Sequence, residues 1–150
     1  MYMQSLFNRE DNDAIKDRIK KLTTDSVPLW GKMNVAQMLA HLQQPILVAF
    51  GELKLQRGLL GFLFGKIAKK QMLADKPFKQ NMPTVKEFKV APGDFEKERI
   101  TLISYLDRFI KEGPQIITKE AHPFFGKMEL NEWDLLQWKH LDHHLKQFGV

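Results

Sequence analysis

Apolar residues recur every three to four positions in four separate stretches of this chain, and no stretch shows the alternation of a half-buried strand. A period of about 3.6 buries one stripe of a helix and cannot bury one face of a sheet, so the pattern restricts the fold to helices packed on helices. The first stretch covers about residues 9–22 behind Asn8 as an N-cap, with Ala14, Ile15, Arg18, Ile19 and Leu22 at helical spacing. A loop over 23–28, rich in Thr, Asp, Ser and Pro, ends it. The second opens at Asn34, where Gln37 three residues on completes a capping box, and continues through Val35, Met38, Leu42, Pro45, Val48 and Ala49. Pro45 is expected to kink this helix or to free the carbonyl of His41, because proline has no N–H to offer it.

A short amphipathic helix is expected over about 59–73, and residues 74–93, with Pro77, Pro83 and Pro92, read as a long irregular crossover. The third main helix opens at Asp94, with Glu96 complementing its dipole, and runs to about Lys111 before Gly113-Pro114 stops it. Its expected core face is Phe95, Ile100, Leu102, Ile103, Leu106, Phe109 and Ile110. The fourth covers about 130–147, with Trp133, Leu136, Gln137, His140, His144 and Gln147 on one face and Asp134, Lys139, Asp142 and Lys146 facing away. The sum is an all-α four-helix bundle with one long crossover and an extra short helix, a single domain over residues 1–150. No internal repeat or low-complexity tract interrupts it.

Bundles of this kind place metal sites between facing helices, and the histidines suit one. His140 and His144 are four apart, so their rings leave the same helix face with Cβ atoms about 5–6 Å apart. His41 is on a separate helix, and three imidazoles with a coordination position left open make a catalytic rather than a structural zinc site. One divalent cation also satisfies two buried rings that would otherwise repel when protonated. His143 offers an alternative pair with His140 at a spacing of three, although it projects nearer the edge of the apolar stripe. His122, in the loop His122-Pro123-Phe124-Phe125-Gly126, is placed to cap a helix or line a cavity mouth and is the weakest ligand candidate.

Other chemistries are excluded or disfavoured. The chain has no cysteine, so disulfides, thiolate ligands and a cysteine nucleophile are absent, any thiol must come from outside, and a reducing cytoplasm is the default compartment. Residues 1–13 have no apolar stretch long enough for a signal peptide, and the longest apolar run, 58–64, is far below the roughly 20 residues that span a bilayer. The segment 61–67 lacks the spacing and final Ser/Thr of a phosphate loop, and Ser5, Ser26 and Ser104 have no nucleophile-elbow context. No Glu stands three residues before any histidine, which argues against a di-iron centre. Trp30, Trp133 and Trp138 read as packing residues, dispersed away from the basic cluster, so nucleic acid is not expected. That cluster, eight basic residues against two acidic ones over 57–90, concentrates a net charge that is +5 for the whole chain. It reads as a solvated lysine-rich face, or as a means of steering anions.

Trp30-Gly31-Lys32-Met33-Asn34-Val35-Ala36-Gln37-Met38-Leu39-Ala40-His41-Leu42, then His122-Pro123-Phe124-Phe125-Gly126, then His140-Leu141-Asp142-His143-His144-Leu145-Lys146-Gln147-Phe148, resembles the DinB/YfiT-like superfamily, in an uncharacterised bacterial branch. The resemblance covers nearly the whole chain. It implies a four-helix bundle, often dimeric, with a divalent metal held by one histidine of the second helix and an H-x-x-x-H pair of the last: His41, His140 and His144. The superfamily includes thiol-dependent transferases and isomerases whose metal takes a low-molecular-weight thiol such as bacillithiol or mycothiol. The extra His143 and the insertion over about 59–93 depart from its simplest pattern.

The expectation is thus a cytoplasmic, homodimeric, zinc- or nickel-dependent enzyme acting on an unidentified small molecule by thiol transfer or addition, or by metal-assisted hydrolysis. Gln37, Gln44 and Gln147, within a turn of the ligands, are candidates to orient imidazoles or substrate, and the basic insert over 57–90, with Lys66, Lys69 and Lys70 as the residues to test, is a candidate to steer an anionic thiol toward the cavity. Two readings compete: a non-enzymatic dimeric binding or stress-response module with structural histidines, and a basic surface over 59–70 that binds anionic membrane or nucleic acid.

Overall fold

A computed structural model describes residues 3–150. The reading of residues 1–13 as free of a signal peptide falls in part on residues 1 and 2, outside those described. Among these residues five α-helices follow one another: α1 (Arg9–Lys20), α2 (Val35–Ala49), α3 (Leu59–Met72), α4 (Phe95–Glu112) and α5 (Leu130–Gln147). Single 3-10 turns lie at Lys86–Phe88 and Gly113–Ile116, and there is no strand among the described residues. No helix among them is long and apolar enough to cross a membrane.

Local chemistry sets the helix starts. The Asn8 side chain accepts from the Asp11 N–H, Asn34 and Gln37 form a reciprocal capping box, and the Asp94 side chain accepts from the Lys97 N–H. Each satisfies a backbone donor that the first helical turn leaves open. Gly113, at φ 71°, ends α4 in a conformation that side chains disfavour.

α2 packs against both α4 and α5, and α1 packs against the same two helices from the other side. The core between them includes Ile15, Met38, Leu42, Leu102, Phe109 and Trp133, each buried to within 2% of full exclusion. Burying each such side chain contributes about 1.5–3 kcal/mol before entropy is counted. A buried polar clamp closes one flank. The Asn12 amide donates to the carbonyls of Leu6 (2.8 Å) and Leu106 (2.9 Å), and the Leu6 N–H donates to Asp134 (2.8 Å).

That clamp corrects one expectation. Asp134, expected to face away from the core, is buried, because the segment before α1 folds over its side of α5. Asp142 and Lys139 are half-buried for the same kind of reason: Arg18 of α1 pairs with Asp142 at 2.8 Å, and the Lys139 ammonium donates to the carbonyls of Met72 and Ala74. Ile100, expected in the core, is 59% exposed, since the side of α4 that carries it has no packed neighbour. Pro45 sits inside α2, which continues to Ala49 without a break. α1 stops at Lys20, two residues short of Leu22, which is nevertheless buried.

α3 departs furthest from its expected amphipathic packing. Its buried residues are Gly61 and Gly65, which lie against Phe124, while its large apolar side chains face outward.

Candidate metal centre

The capping box fixes where α2 begins and so where its second turn points His41: inward, 4% exposed, toward α5. His140 and His144, one turn apart on α5, meet it there. The Nε2 atoms of His41 and His140 are 3.0 Å apart, and the His144 ring centre lies 4.8 Å from that of His41 and 4.7 Å from that of His140. One ring nitrogen from each of the three lies within 4.8 Å of the others. This buried group can hold a metal ion.

The hydrogen bonds around the rings fix two tautomers. His41 Nδ1 lies 2.9 Å from the carbonyl of Phe88, which can only accept, so Nδ1 carries the proton and Nε2 is bare. Gln147 donates its amide N–H to the Trp30 carbonyl at 2.7 Å, which leaves its oxygen to accept from His144 Nδ1–H at 2.7 Å. His144 Nε2 is then bare as well. Carbonyl and amide partners on the far ring nitrogen are what orient metal-binding imidazoles. Zinc–nitrogen bonds in tetrahedral geometry put two ligand nitrogens about 3.3 Å apart; the His41–His140 pair, at 3.0 Å, is close to this, while the trio as a whole spreads to 4.8 Å, so a bound ion draws the rings together.

Burial, the largest influence on each ring, holds all three below the usual histidine range: His41 is lowered, His140 well lowered and His144 pushed down to about 3. The neighbouring rings lower His140 and His144 further, while the Phe88 carbonyl and Gln147 act the other way on His41 and His144. All three rings are therefore neutral near pH 7, the state in which imidazole binds metal.

The rings open onto a cavity of about 520 Å3 with mainly apolar walls. Much of the wall comes from the stretch read as a mere crossover, through Phe78, Met82, Val85 and Phe88, and more comes from Phe124 and Phe125. Gln137 also lines it. This residue is 1% exposed, and neither its amide nitrogen nor its oxygen has a partner.

The remaining candidates separate by position. His143 lies outside the group, its ring 5.8 Å from both Trp30 and Phe78 at the cavity wall. His122 lines the cavity too, but its Nδ1 accepts from the N–H groups of Phe124 and Phe125, which makes it an organiser of its own loop. Gln37 lines the cavity while its oxygen accepts from the Asn34 N–H in the capping box. Gln44 does not reach the rings; its amide donates to the Ala40 carbonyl within α2. Lys69 is held by Glu132 at 2.9 Å, and Lys66 and Lys70 stand exposed on α3 rather than at the cavity, whose lysines are Lys32 and Lys89. Of the basic insert expected to steer an anionic thiol, Lys89 is the residue that reaches the cavity wall.

Sequence reasoning did not single out Gln137 or the Phe88 carbonyl. Gln137 carried a signal, as a polar residue on the inward apolar face of its helix. A backbone carbonyl from a distant turn carries none. Trp30, read as packing, instead lines the cavity and anchors Gln147 through its carbonyl.

The sequence model of one protein family, described as "Protein of unknown function (DUF1569)", matches residues 3–149. No curated protein and no solved structure matches the chain.

Proposed function

The chain belongs to the DUF1569 family of proteins of unknown function, and from that starting point we propose that it is a divalent-metal-dependent enzyme whose ion is held by His41, His140 and His144. One observation carries the reading: imidazole nitrogens from two helices, at least two of them stripped of protons by their partners, converge within 4.8 Å beside an apolar cavity. Supporting it is the resemblance to the DinB/YfiT-like superfamily, and the chain is all-helical among its described residues. The resemblance goes with a single-domain homodimer, and the lack of cysteine with a reducing cytoplasm.

Zinc or nickel bound by three imidazoles keeps room for a further ligand and, as a Lewis acid, lowers the pKa of a water or thiol that takes it. The chain's own groups do the rest. Phe88 and Gln147 hold the rings in the binding tautomer, the aromatic and aliphatic walls exclude water, and the Gln137 amide offers a donor and an acceptor to a bound molecule. Since the chain has no cysteine, a thiol reactant has to be exogenous. The reaction is transfer or addition of a low-molecular-weight thiol to a small, largely apolar substrate, with metal-assisted hydrolysis as the variant in which water takes the thiol's place.

Elemental analysis of protein purified without a histidine tag tests this directly. Stoichiometric zinc or nickel is expected, and it should be lost in His140→Ala with helicity retained. Protein that takes up neither ion when titrated would leave the histidines structural and end the enzymatic reading. Consumption of bacillithiol or mycothiol by the loaded protein, against ester hydrolysis without thiol, separates the two reactions.

A further inference from the structure

α3 has its faces reversed relative to an ordinary surface helix. Leu59, Leu60, Phe62, Leu63, Phe64 and Ile67 are 53–73% exposed, while the inward side consists of Gly61 and Gly65 set against the backbone of Phe124. An apolar surface of this size on one helix marks an interaction site. The helix is tied down at its C-terminal half: Lys69 reaches Glu132 and the Lys127 carbonyl, and Lys139 binds the carbonyls of Met72, its last residue, and of Ala74 just after it. A firmly held helix that turns its leucines and phenylalanines to water is built to present them.

The charges decide what covers it. Residues 57–73 contain Arg57, Lys66, Lys69 and Lys70 and no acidic residue. Lys66 and Lys70 are exposed, and Arg57 lies 5.6 Å over the Phe62 ring. Self-association through this face would bring the cations of both copies into one poorly solvated contact with no carboxylate of the segment to offset them. A helix whose exposed face is apolar in its first turns and carries Lys66 and Lys70 in its last ones, with Arg57 just before it, suits the boundary of a lipid bilayer, where apolar side chains enter the acyl region and long lysine side chains reach back to anionic headgroups. We propose that α3 is a peripheral membrane-docking helix that seats the protein on anionic lipid surfaces, independently of any metal at the histidines.

The test is flotation of the full chain with vesicles of phosphatidylcholine alone and of phosphatidylcholine mixed with phosphatidylglycerol, at low and high salt. Salt-sensitive binding to the anionic vesicles is expected. Leu63→Glu with Ile67→Glu should weaken it more than about tenfold, because two apolar side chains are withdrawn from the bilayer. Lys66→Glu with Lys70→Glu should weaken it at least about twentyfold, at roughly fivefold for each cation removed. All four positions are solvent-facing, and circular dichroism confirms that the variants fold. Binding to neither vesicle, equal binding to both at all salt concentrations, or indifference to both pairs of substitutions would overturn the proposal. So would a dimer, seen by light scattering, that Leu63→Glu with Ile67→Glu dissolves.

Discussion

At the scale of single residues, the candidate site depends on groups that never touch the point where the imidazoles meet. Gln147 bridges the Trp30 carbonyl and His144, so Gln147→Leu removes the acceptor that keeps the proton on His144 Nδ1. Zinc affinity is expected to fall about 10- to 100-fold, read by competition with a chromogenic chelator; unchanged affinity would show that the bridge is incidental. Gln137 behaves oppositely. Its amide is buried without partners, so Gln137→Leu should raise stability by about 1–2 kcal/mol in denaturant unfolding, with a loss of stability counting against an amide held in reserve for a ligand. The residues themselves were legible: a four-residue spacing put His140 and His144 on one face, and a capping box fixed the phase of His41. Their supports were not, because the partner of His41 is a main-chain oxygen 47 positions away, and any amino acid supplies one.

At the scale of elements, helix starts and faces differ in how much the chain reveals. Asn8, Asn34 with Gln37, and Asp94 announce three starts, since capping is chemistry between neighbours in sequence. Which face is covered depends on what arrives from elsewhere. Asp134 looked solvent-bound until the segment before α1 closed over it, and α3 was expected to be amphipathic, but glycines rather than apolar side chains make its inner side. At Gly65 an added Cβ would collide with the Phe124 carbonyl oxygen, a main-chain atom that cannot swing aside. Gly65→Ala should therefore lift α3 from the 122–126 loop at a cost of about 1–3 kcal/mol. Limited proteolysis reads this as faster cleavage within 57–73, and cleavage at the wild-type rate would mean that the loop yields instead.

For the whole molecule, the buried histidines tie folding to proton concentration. His122 is lowered to about 4 and His144 to about 3, in both cases chiefly by burial. An unfolded histidine titrates near about 6.5. Between these values the unfolded chain binds protons that the folded one refuses, so the stability linked to these rings is complete above about pH 6.5 and declines as pH falls toward 4 and then 3. Each excess proton costs about 1.4 kcal/mol per pH unit across its window. Denaturant midpoints of the metal-free protein, measured from pH 7 down to pH 4 with a chelator present, should fall steadily, and His122→Asn, which removes one of these titrations, should flatten the decline. A midpoint independent of pH would mean that the rings are solvated.

The carbonyl that steadies His41 belongs to the main chain of Phe88, whose side chain faces the cavity. Replacing residue 88 redraws the chamber's contour yet supplies the same oxygen, whereas adding or deleting a residue nearby would shift that oxygen out of reach. Point substitution along the crossover can thus change which guest is accommodated while the ring's protonation is preserved, and its length is the property that cannot drift.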